Sequence, residues 1–433
     1  MNSIWHKNLK RPRFKALKEE KRTADTVIIG GGITGILCAY MLKKSGANPL
    51  LLEANEICGG ITKNTTAKIS IHHGLIYGKL IKRFGEEKAR KYLEAQIAAS
   101  EEYSKLCRDI DCGYERRTSF VYSTVNRNKI LAETAALKHL GIDAVFSETP
   151  RLPIETAGAV RVENQAQFNP LKFAYEIARD LPIYENTKVL QLLPNKIITD
   201  FGEIFFDKLI VATHFPIFNN HGSYFLKMYQ HRSYVIALEG AANVDGIYID
   251  EDKSGLSFRN YGDYLLLGGG AHRTGKKGGG WAELERFAEK HYKGSKIAYR
   301  WATQDCMTLD GAPYIGQYSK ATPNLFVATG FNKWGMTNSM AAAIILTDLI
   351  GGKKSRYAEV FSPSRSILRP QLAINAFETL SGLLTPCAPR CPHLGCALKY
   401  NKAERSWDCS CHGSRFTEDG ELIDNPATDD KKM

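Results

Sequence analysis

Six side chains near the end of this 433-residue chain carry the strongest chemical signal. Cys391 and His393 stand in the loop "CPHLGC", Cys409 and His412 in "CSCHGS", and fifteen residues separate the two pairs. Two thiolates and two imidazoles at such spacing suit tetrahedral zinc or the two irons of a 2Fe–2S centre. Each loop also holds a further cysteine, Cys396 and Cys411. A zinc site does not need them, so the surroundings favour iron. Five of the ten cysteines fall between Cys387 and Cys411, and no apolar signal-peptide core precedes the fold, so metal ligation is expected before a secreted disulfide framework.

A second chemical signal lies at the other end. "DTVIIG" is a β-rich run entering Gly30, "ITGILCAYMLKKSG" has apolar residues at helical spacing, and "PLLLEA" reads as a second buried strand ending at Glu53. Gly30, Gly32 and Gly35 form the G-x-G-x-x-G pattern of a dinucleotide-binding βαβ unit. Gly30 permits the tight turn, Gly32 lets the backbone approach a pyrophosphate, and Gly35 lets helix and strand pack closely. Glu53 would accept hydrogen bonds from a ribose hydroxyl, with the helix N-terminus facing phosphate charge. FAD and NAD both remain open at this point.

Later segments resemble a flavoprotein. "FDKLIVATH", "QDCMTLDGAPYIG" and "NLFVATGFNKWGMTNSMAAAIILTDLI" follow in the order of the D-amino-acid oxidase, glycine oxidase and sarcosine oxidase family. The resemblance covers most of residues 25 to 352 and implies FAD. It places Ile33, Thr34 and Ala54 with the glycines and Glu53 at the cofactor, Thr65 and Thr66 over the pyrophosphate and flavin, and Gly330, Gly335, Met336 and Thr337 at the flavin ring. Amides at that last helix N-terminus would stabilise negative charge on the reduced ring. Cys306 lies near where sarcosine-oxidase-like members attach FAD; a buried core cysteine is the expectation. His73, in "SIHHGLIYG", is a candidate proton acceptor or substrate contact, against a histidine satisfied by backbone hydrogen bonds, which is the reading favoured.

The two cysteine loops resemble Rieske proteins, particularly the cytochrome bc type. That resemblance implies that Cys391 and Cys409 bind one iron, His393 and His412 the other, and that Cys396 and Cys411 form a disulfide clamping the loops. Ser414 is retained where a hydroxyl bonds cluster sulfur, but Phe416 replaces a tyrosine donor. Losing that donor places the potential below the top of the Rieske range of about −150 to +300 mV. After "ELIDNPA", similar to the family's proline loop, few residues remain, so the module is expected to lean on the flavoprotein or a partner for burial.

The elements that must position these groups divide the chain as follows: a basic lead over 1–24, a flavin unit over 25–352, a linker over 353–374 and a cluster unit over 375–433. The expected fold is α/β, a Rossmann-like FAD domain of the glutathione-reductase type with an antiparallel substrate sheet, plus a small all-β Rieske domain. Insertions at about 80–150 and 220–300 supply the substrate domain, "GKKGGG" reads as a mobile loop, and "QLAINAFETLSGLL" as a segment that docks the tail or spans part of the gap. The formal charge of +12 is partly concentrated in the lead, yet no nucleic-acid motif accompanies it. Apolar runs are too short for a membrane span, and a cytoplasmic location is expected.

The chain is thus identified as an FAD-dependent oxidoreductase with a C-terminal Rieske domain, expected to dehydrogenate a C–N bond and pass electrons singly to an unidentified acceptor, a protein or a quinone. Alternatives are an electron-transfer component serving a protein partner, or a redox sensor. Family members acting on α-amino acids carry an arginine five positions before the aspartate of "DG-P-IG"; here that position is Asp305. Either Arg232, Arg259 or Arg273 takes the carboxylate, or the substrate is an amine without one, countered by Asp305. The second is favoured, against the alternative that Asp305 merely caps the turn.

Overall fold

The computed structural model describes residues 3–18, 20–148, 151–219, 221–252 and 255–431. The β-branched run before the first glycine motif becomes the centre of a mainly parallel sheet, strand Lys21–Ile29. Pro49–Leu52 pairs with it on one side and Glu203–Val211 on the other. Ile183–Tyr184 and Leu325–Thr329 extend the two flanks, and Tyr314–Gln317 runs antiparallel at one edge. This sheet is apolar on both faces: helices cover one, and the strands Val189–Leu193 and Lys196–Thr199 with Phe215, Tyr224 and Met228 cover the other. Ile33–Lys44 and Gly335–Ile350 pack on each other, and Glu86–Leu106 packs on Gly335–Ile350.

A second sheet of nine strands runs from Lys296–Thr308 through Met228–Glu239, Tyr264–Arg273, Ser257–Tyr261, Ile247–Asp250, Glu115–Ser123 and Gly158–Gln167 to Lys68–Ile69, with Ala144–Ser147 beside Gly158–Gln167. It is antiparallel except where Ile247–Asp250 meets Glu115–Ser123. Its strands reach Gln167 and Thr308, past the insertion bounds expected from the sequence, because the alternating patterns there complete pairings begun far earlier in the chain. The third sheet is a four-stranded antiparallel meander, Leu398–Asn401, Ser406–Cys409, Arg415–Thr417 and Leu422–Asp424.

The connections hold more structure than their composition implies. In the lead, Trp5 is fully buried and its indole donates to Thr65 O at 2.7 Å, while Arg11 pairs with buried Glu185. Within the expected linker, Ala358–Phe361 is helical, and Arg365 grips Asp310 through two bonds of 2.7 and 2.8 Å. Helix Pro370–Leu384 then crosses to the small sheet. "GKKGGG" is packed rather than mobile: a Cβ on Gly275 would meet Ser410 N at 2.6 Å, and Lys276 pairs with Glu378 at 2.7 Å. Gly275 thus serves close approach to the second cysteine loop.

Candidate functional site

A cavity of about 1260 Å3 runs between the two larger sheets. At one end the first strand turns at Gly30 into the helix starting at Ile33. Gly30 has φ +109° and its missing Cβ would meet Ala212 O at 2.6 Å; at Gly35 a Cβ would meet Gly30 O at 1.9 Å. Gly32 is open apart from Thr62 Oγ1 at 3.4 Å, leaving the backbone accessible where a phosphate would lie. Glu53 accepts from Gly31 N at 2.7 Å and Asn55 N at 2.9 Å, and burial raises its pKa. Ile33, Thr34, Ala54, Thr65 and Thr66 also line the cavity.

The far end is built by the turn into Gly335–Ile350. Gly330, Gly335 and Met336 line the cavity; Gly330 has φ +72°, and a Cβ there would meet Thr308 Cγ2 at 2.4 Å. Thr337 stands behind the lining, its hydroxyl 2.8 Å from His73 Nε2. That nitrogen also lies 2.7 Å from Ser70 O, so it carries the proton and Nδ1 accepts from the Tyr92 hydroxyl at 2.7 Å. The His73 ring stacks on Trp334 at 4.7 Å and burial pushes its pKa down to about 3. Both its nitrogens are therefore taken by protein partners. Cys306 is 1 % exposed, with its sulfur 3.6 Å from His214 O.

Asp305 lies on the cavity wall directly across the strand pair from His231. Burial pushes Asp305 up to about 6, with Lys333 and Arg232 pulling the other way. His231 Nδ1 is buried without a partner, and burial pushes that ring down to about 3. Lys333, held with φ +72°, also reaches the cavity beside Asp305. Sequence reasoning missed His231 and Lys333: one depends on cross-strand register, the other on a left-handed turn residue, and neither leaves a motif.

Among the described lining residues there is no arginine. The three candidates for a carboxylate anchor work elsewhere. Arg232 binds Glu404 of the small sheet, with one bond at 2.8 Å. Arg259 donates to Thr66 O and Ala67 O at 2.8 and 2.6 Å. Arg273 donates to Ser410 O at 3.0 Å and Cys411 O at 3.1 Å in the second cysteine loop.

All six cysteine and histidine candidates of the tail converge. The Cys391 and Cys409 thiols are close neighbours, Ser414 stands beside Cys391, and the His393 and His412 rings stand 5.0 Å apart. His393 Nε2 donates to Asn219 Oδ1 at 3.0 Å, leaving its Nδ1 without a partner, as are both nitrogens of His412. Two thiols facing two imidazoles whose buried nitrogens lack partners are a donor set for metal. The sulfurs of Cys396, Cys409 and Cys411 lie within 4.8 Å of one another. Cys396 and Cys411 are free thiols in this structure, so the disulfide expected between them is not formed here.

Residues 25–349 match the model of the FAD dependent oxidoreductase family. The chain belongs to that family. Residues 365–432 match the Rieske [2Fe-2S] domain, so this flavoprotein carries FAD and a 2Fe–2S centre. A Bacillus subtilis (strain 168) protein described as a putative Rieske 2Fe-2S iron-sulfur protein, YhfW, is 33% identical over 98% of this chain and 96% of its own length. The gamma-glutamylputrescine oxidoreductase of Escherichia coli (strain K12) is 24% identical over 78% of this chain and 86% of its own. Among solved structures, glycine oxidase from Geobacillus kaustophilus superposes with a TM-score of 0.66 at 18% identity, over 80% of this chain and 99% of its own. No helix among the described residues of this oxidoreductase is long and apolar enough to cross a membrane.

Proposed function

We propose that the protein dehydrogenates a cationic amine at FAD and delivers the electrons one at a time, through a cluster bound by Cys391, Cys409, His393 and His412, to a protein or quinone acceptor. FAD supplies a hydride acceptor and the cluster a one-electron carrier. The observation that carries the reading is Asp305 on a cavity wall without arginine. A carboxylate there attracts an ammonium and repels a substrate carboxylate, more strongly than in water. Ionised Asp305 would orient the amine on the cavity wall. His73, with both nitrogens engaged, would hold the Thr337 end of the flavin-facing helix rather than move a proton. The curated relative named for gamma-glutamylputrescine agrees with an amine substrate class. Pairing of Cys396 with Cys411 belongs to this proposal, and mass mapping of alkylated, cluster-loaded protein tests it: recovery of both as free thiols removes it.

Lys333 supports a second reading, in which its ammonium anchors the carboxylate of an α-amino acid. Anaerobic stopped-flow mixing separates the two. Flavin bleaching by simple amines or polyamines but not by glycine, sarcosine or D-alanine, weakened in Asp305→Asn, supports the first. Rapid bleaching by an α-amino acid, lost in Lys333→Met and unaffected by Asp305→Asn, replaces it with the second. Reduction only by NAD(P)H or a protein carrier would make the chain an electron-transfer component instead.

A further inference from the structure

The cluster module is seated on the outer face of the same two strands whose inner face lines the cavity, and its last segment, Leu422 to Asp430, reaches round to the cavity itself. Side chains alternate along a strand, and here the alternation separates two chemistries. His231, Ser233, Thr303 and Asp305 face the cavity. Gln230, Arg232 and Gln304 point the other way, into the module. Gln304 Nε2 donates to Gly413 O at 2.8 Å and to Gln230 Oε1 at 2.7 Å, while its Oε1 accepts from Thr274 at 3.0 Å. Gln230 Nε2 donates to His412 O at 3.0 Å and Asn425 O at 2.8 Å. Gln230 is 1% and Gln304 0% exposed, and every polar atom of both amides is used. Gly413 fits this seat only as glycine: it has φ +94°, and a Cβ would meet Gln230 Cβ at 2.5 Å.

We propose that Gln230 and Gln304 are positioning residues that lock the His412 side of the cluster against the back wall of the flavin cavity, so that electrons pass from flavin to cluster within one polypeptide across a single β-layer. Stacked layers are about 10 Å apart, which sets the scale of that crossing. The inference rests on the reading above that the flavin reduces the cluster. Each transfer removes one electron from the two-electron-reduced flavin, with its proton released to solvent, and turns one ferric iron of the cluster ferrous. Two electrons leave per turnover and the cluster stores one, so a one-electron acceptor, protein or quinone, must empty it between transfers. His412 is 1% exposed, so that acceptor does not reach the cluster through this ring while the module is seated.

The test uses full-length holoprotein with no amine present, so that it stands whether or not the substrate assignment does. The flavin is reduced anaerobically by light with EDTA as donor, and cluster reduction is followed by its visible bands and freeze-quench EPR. Wild type should show first-order cluster reduction at a rate independent of protein concentration. Gln304→Leu should slow it tenfold or more, with unchanged cluster g values and potential and with faster amide exchange over residues 409–414. Glu404→Gln, which loosens the seat from the module side, should slow it less, and serves if Gln304→Leu does not load its cluster. A wild-type rate proportional to protein concentration overturns the proposal, as does an unchanged transfer rate in a variant whose loop exchange has risen. If light never reduces the cluster while dithionite does, the flavin-to-cluster reading itself falls.

Discussion

The two cofactor sites are held by opposite means. The glycine loop is a steric fit in the wall of a large apolar core, where Gly35 is excluded from carrying a side chain by a carbonyl 1.9 Å from its would-be Cβ. The cluster module has a small core, chiefly its own cysteines with Leu398, Phe416 and Ala427. Its interior is instead organised by Arg415, 2% exposed, which bonds Asp408, Asp424 and Glu404 at 3.0, 3.0 and 2.9 Å. Glu404 in turn binds Arg232 of the flavoprotein, so the charge network spans the boundary. Against the cost of burial, Arg232 and Arg415 hold Glu404 down to about 2. A small unit that cannot bury enough apolar surface borrows its neighbour's, through directional polar contacts.

Four measurements would break or sharpen that contrast. Gly35→Val should have the largest effect, because a side chain there collides with backbone that cannot yield: flavin content of the purified protein should fall at least a hundredfold, and normal flavin loading would refute the steric account. Arg415→Met leaves buried Asp408 without its guanidinium partner and removes one of the two that hold Glu404, and breaking a buried ion network costs about 3–5 kcal/mol. Iron and labile sulfide should be lost while one FAD per chain stays bound; loss of both together would mean that the halves do not differ in this way.

Within the cavity, Asp305→Asn should raise the apparent dissociation constant for a cationic amine about tenfold. Since burial places the Asp305 carboxyl near 6, wild-type affinity should be full above that pH and decline as pH falls through it, and the variant should lose the decline. Lys333 and Arg232 stabilise the ionised form, while His231, facing it, is neutral across that window. Stopped-flow titrations between pH 5 and 8 (roughly the range spanning that group) decide it. The smallest effect belongs to His73→Asn: flavin reduction should stay within about tenfold of wild type, since positioned acid–base groups contribute about 100-fold or more.

What could be read from the sequence was whatever lies contiguous along it. The turn from Ile29 to Ile33 and the loops at Cys391 and Cys409 each put their chemistry within a few residues, so residue type and spacing announce them. Asp305 was visible only as a departure from a resembled pattern. Its partners were not visible: His231 reaches it through strand register, and Lys333 through a turn with positive φ. The seat of the module was hidden for the same reason, since Gln230 and Gln304 are ordinary strand residues until the antiparallel pairing sets both amides on one face. The segment before the helix Pro370–Leu384 has a linker's composition, but Arg365 on Asp310 anchors it, an ion pair between residues too far apart for any local pattern to reveal.

The burial of the cluster loops bears on how the protein is made. Cys391, Cys396, Cys409, Cys411 and His412 are each 2% exposed or less once seated. Iron and sulfide cannot be handed to side chains so enclosed, so delivery has to precede docking. The order of synthesis allows this: the strands forming the seat end at Thr308, and the loops emerge after them, onto a flavin-binding unit whose strands are already made. Maturation then becomes a race between loading the tail and closing it, and supplying iron and sulfide during expression should decide how much of the protein carries a cluster, while supplying them to the finished fold should accomplish little.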